Sequence, residues 1–265
     1  MTRKPAVAGR FYKADSATLR KEVETYLSYD GEKETRTGCI VPHAGYVFSG
    51  ATAGMVLSRI SIPGSVIILS PNHTGMGEGF SVWSGGGWET PLGTVNIDED
   101  LREAVLACEG AEPDEAAHSM EHSIEVVLPF LTTIREDVRI VPVTIRSADL
   151  DSLIRFGKGL TDILSRLDKP VLMVASSDMT HMEPAEQARQ KDMKCIERME
   201  QVDPEGLYRL VTGEHITMCG VFPVTSLLAA CRERGVERGE LVNYTNSGEV
   251  SGDLMNVVGY AGMVF

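Results

Sequence analysis

The sequence predicts a three-layer α/β/α sandwich, and three observations carry that prediction. Short, continuous β-branched runs without polar alternation recur along the chain, as expected of strands covered on both faces. Helix-length amphipathic stretches separate them. The 265 residues contain no Pro/Ser-rich linker, composition shift or internal repeat, so one domain over 1–265 is expected.

In chain order, a helix is expected over 15–28, then a strand at Cys39–Val41, a helix over 50–59 and a strand at Val66–Leu69. Phe80–Asp98 breaks the alternation. With Gly85–Gly87, Pro91 and alternating residues, it reads as a hairpin excursion. Helices over 98–108 and 120–134 precede a strand at Ile140–Ile145, and a helix over 148–167 leads into a strand at Val171–Ala175. Helices over 184–200 and 221–234 precede the last strands, Leu241–Tyr244 and Val257–Phe265. The charged stretches Asp30–Arg36 and Arg232–Glu240 read as a solvated loop and a helix end with its loop.

Hydrophobic residues at 43% and charged residues at 24% are ordinary for a globular chain and exclude the disordered classes. A net charge of −13, from 25 basic and 38 acidic residues, works against a phosphate-backbone footprint, so no nucleic-acid partner is expected. Cysteines at 39, 108, 195, 219 and 231 form an odd set without a CxxC pair, which suits a reducing compartment. The opening MTRKPAVAGRFYKAD lacks the apolar core of a signal peptide, and no apolar run approaches membrane-spanning length. A cytoplasmic protein without membrane association is the expectation.

Six histidines stand at 43, 73, 118, 122, 181 and 215. His43 follows CIVP, His73 follows VIILSPN, and His181 follows VLMVASSD three residues after Asp178. Each therefore lies just past a buried strand, where open α/β sheets place their ligand crevices. Singly, each is an ordinary loop histidine. Jointly they point to one site. Two imidazoles suit a transition metal but need an anionic third ligand. Cys219, in the Gly/Pro-flanked loop HITMCGVFP, is the best cysteine for it. Cys108, Cys195 and Cys231 fall in helical patterns and Cys39 in a strand, where a thiol serves as a small hydrophobe. Tyr46, three residues after His43, is a candidate to face the same pocket, against the plainer alternative of helix packing.

The segment AHSMEHSIEVVLPFL places His118, Glu121, His122 and Glu125 at helical spacing, and His118–His122 matches the H-x-x-E-H zinc pattern of inverted zincins. A five-residue match is cheap in a chain of this length, and Ser119 is a candidate helix cap that would leave His118 outside. The expectation is that His118 and His122 do not share a metal. Gly75–Gly79 is glycine-rich but leads into SVW and not a helix, so it fails the dinucleotide context. There is no Walker A sequence and no G-x-S-x-G elbow.

The blocks PAVAGRFY, VPHAGYVFSGATAG, SPNHTG, WETPLGTV, EHSIEVVLPFL, VASSDMTH, TMCG and NSGEVSGD…VVGYA, in this order from Pro5 onward, resemble the Memo family. Its archaeal and bacterial members are called AmmeMemoRadiSam system protein B. The resemblance implies a fold and site position similar to the LigB-like class III extradiol dioxygenases, which are non-haem iron enzymes. It carries two histidine ligands and a cysteine onto His43, His73 and Cys219, and the pair of the SSD-x-x-H segment onto Asp178 and His181. In this picture His181 is the acid/base group steadied by Asp178, while His122 and Glu121 support the site or contact substrate. The cysteine stands where the related dioxygenases have a glutamate, so the resemblance does not by itself imply dioxygenase activity. Lys13 after Tyr12 replaces a usual proline, and Met182 after His181 replaces a usual aromatic next to the base.

A site of two neutral imidazoles and a thiolate holds a divalent metal with positions open. Fe(II) is expected from the resemblance, in a metal-dependent oxidoreductase that binds a dihydroxy-aromatic or O₂, with Zn(II) or copper as alternatives because the thiolate softens the site. The competing class is a peptide- or partner-binding adaptor that keeps the pocket without the chemistry. A radical-SAM enzyme and an AMME-type protein are the partners that the resemblance implies.

Overall fold

The computed structural model describes all 265 residues. The strands are β1 (Gly38–Val41), β2 (Ser65–Pro71), β3 (Phe80–Val82), β4 (Trp88–Thr90), β5 (Gly93–Ile97), β6 (Ala111–Pro113), β7 (Arg139–Ile145), β8 (Val171–Ser176), β9 (His181–Glu183), β10 (Glu240–Asn246) and β11 (Val257–Val264). The helices are α1 (Ser16–Tyr26), α2 (Tyr46–Ser58), α3 (Glu99–Leu106), α4 (Leu128–Ile134), α5 (Leu150–Arg166), α6 (Ala185–Glu200), α7 (Pro204–Gly213), α8 (Val221–Glu233) and the single turn α9 (Gly248–Ser251). No helix is long and apolar enough to cross a membrane.

The strands build one sheet in the order β10-β11-β1-β8-β2-β7-β3-β6. Its centre, β1-β8-β2-β7, is parallel, so these four strands end at the same edge. They are the four apolar runs expected to share a sheet. Antiparallel β11 and β10 extend it beyond β1, and antiparallel β3 extends it beyond β7.

Alternate residues of the central strands enter two separate apolar layers, as the period of two requires. Ile67, Leu69, Val141, Val143 and Met173 pack with α3, α5, α6, α7 and α8. Val66, Ile68, Ile140, Leu172 and Val174 pack on the other face with α1, α2 and α4. Helices on both faces of one sheet make the three layers.

Three expectations change. The helix expected over 50–59 begins at Tyr46, because Gly45 ends the extended chain and serves as its cap. The helix expected over 120–134 is α-helical only from Leu128, after a 3₁₀ turn at Glu125–Val127. Residues 114–124 are irregular: the Glu121 side chain accepts from the Ser123 backbone N–H and hydroxyl, and Pro129 in the first helical turn lacks the donor that a longer helix would need. The excursion at 80–98 does contain a hairpin, β4–β5. Its flanks, however, join the main sheet, with β3 antiparallel and β5 parallel to β7.

Candidate metal centre

The parallel strands deliver their site residues at one spacing. His43, His73 and Asp178 each lie two residues beyond the ends of β1, β2 and β8, which are neighbours in the sheet. The irregular segment 114–124 crosses the same edge and brings in His122. The ligand atoms of His43, His73 and His122 all lie within 4.8 Å of one another. The His73 and His122 rings stack at 4.9 Å between centroids, and His43 meets both edge-on at 5.3 and 5.5 Å.

Hydrogen bonds fix which nitrogen is free in two of the three rings, His43 and His73. His43 Nδ1 lies 2.7 Å from Ser176 Oγ, whose single proton goes to the Ser123 carbonyl at 2.8 Å. Ser176 must therefore accept from His43, which leaves the Nε2 lone pair toward the cluster. His73 donates Nδ1–H to Glu121 Oε1 at 2.9 Å and its backbone N–H to Oε2 at 2.6 Å. This is the carboxylate–imidazole pairing that orients metal-bound histidines. His122 Nδ1 stands 3.5 Å from the same carboxylate.

Charge follows from burial. Desolvation, reinforced by His73 and His122, holds His43 well below the usual imidazole range. Burial lowers His122 as well, against the pull of Glu121. In His73 burial is outweighed by the hydrogen bond and charge of Glu121 and by the charge of Asp178, so its basicity rises. Burial works to raise Glu121, but His73 and the backbone donors bring it down to about 2. The site is thus a set of imidazole donors backed by one carboxylate. Solvent reaches it through His73 and His122, at 35% and 21% side-chain exposure, and not through His43 at 2%.

Cys219 sits at the same site. Its Sγ is 3.3 Å from His43 Nε2 and accepts the Asp178 N–H at 3.2 Å. It does not share the 4.8 Å spacing that unites the three imidazoles, so the compact ligand group contains His122 where the sequence had suggested the thiol. Burial, then Asp178, pushes the thiol well above its ordinary value. The loop is held close to β8 because Gly220 packs on Ser177, where a Cβ would come within 2.3 Å of Ser177 Cβ. The other four cysteines are buried fillers, as expected.

Asp178 and His181 are both present, but not in the expected relation. Asp178 Oδ1 accepts the His43 backbone N–H at 2.8 Å, and Oδ2 lies 4.0 Å from His43 Nε2. Burial raises its carboxyl to about 6, against the His43 and Ala44 amides and the charges of His181 and His73. His181 is steadied instead by two carbonyls, Met179 at 2.7 Å and Thr217 at 2.9 Å from Nδ1. Carbonyls only accept, so Nδ1 carries the proton and Nε2 is the basic nitrogen. Met182 beside it is 71% exposed and has a left-handed backbone, φ 58°.

Tyr46 is not a pocket residue. It is 2% exposed, donates to the Val126 carbonyl at 2.7 Å and packs on Phe130, Tyr12 and Tyr26. His118 is excluded from the cluster as expected. Its ring nitrogens face the Ser81 carbonyl at 2.9 Å and Thr144 Oγ1 at 3.1 Å, and its ring lies between Trp83 and Trp88. Ser123 and Ser176 were missed, since nothing in the sequence distinguishes them from other serines.

Three clustered imidazoles, two of them oriented by hydrogen bonds, at the strand-end edge of a parallel sheet define a candidate metal-binding α/β protein. The chain belongs to the Memo family: the family model described as Memo-like protein matches residues 3–264. It is 44% identical over 265 residues to a MEMO1 family protein of Aquifex aeolicus, covering 99% of this chain and 98% of that one. It is 41% identical over 280 residues to a MEMO1 family protein of Methanopyrus kandleri, covering 100% and 99%. Among solved structures it is similar to an uncharacterized protein, JW3007, of Escherichia coli K12, with a TM-score of 0.56 over 84% of this chain and 98% of that one. At 13% identity this likeness bears on the fold alone.

Proposed function

We propose that the chain holds one divalent metal ion, Fe(II) in first place, on His43, His73 and His122, with Cys219 as the adjoining soft donor, and acts as a metal-dependent oxidoreductase of the extradiol dioxygenase type. The observation that carries this reading is the imidazole triad itself: three ligand atoms within 4.8 Å, two of them aimed by Nδ1 hydrogen bonds to Ser176 and Glu121. The donor set fits a first-row transition metal, since imidazole suits iron, zinc and copper alike. When bound, the metal supplies Lewis acidity toward a hydroxyl-bearing substrate.

The residues around it have separate tasks. Glu121 and Ser176 keep the imidazoles in the ligating tautomer. His181, fixed through Nδ1, presents Nε2 as the acceptor for a substrate proton. Asp178 holds the His43 backbone and places a buried carboxyl beside the triad. Anaerobic loading with Fe(II) should give one equivalent per chain. His122→Ala should lose it, and His118→Ala should retain it in the folded fraction. O₂ uptake with dihydroxy-aromatic substrates then tests the chemistry, and a His181 variant should retain iron but lose turnover.

A second reading, a peptide- or partner-binding adaptor built on the same site, draws on one observation. Met182, Leu254 and Met255 are 71%, 56% and 66% exposed on and beside β9, next to His181. Chain that carries no metal as isolated from cells, yet binds a peptide, would favour it.

A further inference from the structure

Behind the imidazoles lies a second buried constellation that the reading above does not use. Arg3 is 3% exposed. Its guanidinium donates from Nε to the His118 carbonyl at 2.7 Å, from Nη1 to Glu125 Oε2 at 2.7 Å, and from Nη2 to the Glu121 carbonyl. It also stands 4.2 Å from the Trp88 ring centroid. Glu125 in turn gathers the N-terminal segment, accepting from the Ala6 and Val7 amides at 2.8 and 3.0 Å and from the Tyr12 hydroxyl at 2.7 Å. Residues 3–12 and 118–125 are therefore stitched together in both directions, although more than 100 residues separate them.

The segment stitched in this way needs holding. Residues 114–124 contain no helix or strand, so no backbone ladder fixes Glu121 and His122. Arg3 binds the carbonyl of Glu121 itself, one peptide unit from His122. A planar fork can serve two carbonyls and a carboxylate together, whereas an ammonium group acts as a point charge.

We propose that Arg3, acting with Glu125, is a positioning residue of the metal centre. It fixes the backbone of 118–121 so that Glu121 meets His73 and His122 faces His43. The inference rests on the reading of the three imidazoles as a metal site.

The test compares Arg3→Lys, which keeps a cation for Glu125, with Lys169→Met. The latter removes the Lys169–Asp98 ion pair of 2.6 Å at the opposite end of the sheet. Two measurements are made on each: Co(II) affinity with its d–d spectrum, and hydrogen exchange of residues 118–127 in metal-free protein. Arg3→Lys should weaken Co(II) binding about tenfold or more and alter the d–d bands, as loss of outer support does. It should also speed exchange in that segment. Lys169→Met should leave all three unchanged. Tyr12→Phe, which removes one donor from Glu125 with little change of shape, should shift the spectrum in the same direction by less. Wild-type affinity and spectrum in Arg3→Lys, or equal losses in Lys169→Met, would overturn the proposal. If the wild type takes up no Co(II), the metal-site reading fails by itself and exchange decides the strap: faster exchange in Arg3→Lys alone sustains it, and unchanged exchange overturns it.

Discussion

Glu121 accepts four hydrogen bonds, two from His73 and two from Ser123, at 2.6 to 3.0 Å. A glutamine there would keep the shape but turn an amide donor toward groups that are themselves donors. Glu121→Gln should therefore weaken metal binding roughly 10–100-fold, as measured by calorimetric titration. An unchanged Kd would show that the carboxylate does not orient His73. His118 makes a different prediction, about stability and pH. Burial holds its folded imidazole down to about 4, from 6.5 when free, so the unfolded chain takes up the proton first as pH falls. Its contribution is complete above pH 6.5 and is lost on the way down to pH 4. That loss amounts to about 3 kcal/mol. In urea unfolding, the stability gap between wild type and His118→Gln should narrow by about that amount from pH 7 to pH 4. A constant gap would contradict it.

At the scale of elements, the loop before α8 is set by a contact that tolerates no side chain. A Cβ on Gly220 would lie 2.8 Å from the Ser176 carbonyl oxygen as well as 2.3 Å from Ser177 Cβ. Gly220→Ala should cost about 1–3 kcal/mol, seen as a lowered Tm, because backbone must move. It should also displace Cys219, which follows from the shared loop. The same scale explains which elements the sequence revealed. β1, β2, β7 and β8 are covered on both faces, so each reads as an unbroken apolar run. α7 (Pro204–Gly213) and the three-residue β9 went unread, the first because its apolar face is short, the second because only pairing with β11 defines it. The segment 114–124 misled the periodicity: besides the local Glu121–Ser123 bonds and Pro129, it is held by Arg3 and His73, which are distant in sequence and invisible to a local window.

Across the whole molecule, the parallel centre of the sheet turns four short runs into one edge, and the site is legible to the extent that its residues lie on that edge. His43, His73 and Asp178 could be read from the strand ends that carry them. His122 could not be ranked above Cys219, because its approach depends on a loop that crosses from the far side of β7 and is tied down by the N-terminal segment. The resemblance paired Asp178 with His181 through the SSD-x-x-H segment, whereas the fold gives its carboxylate to the His43 amide. Family membership and fold agree with the sequence reading, and in our proposal His122 joins His43 and His73 as the third imidazole ligand. X-ray absorption and anomalous diffraction on metal-loaded protein address that claim most directly. The account predicts one ion with three nitrogen neighbours at about 2.0–2.1 Å, from His43, His73 and His122, and sulfur scattering near 2.3 Å when Cys219 joins them. A metal bound without His122, or placed away from the ends of β1 and β2, would contradict it.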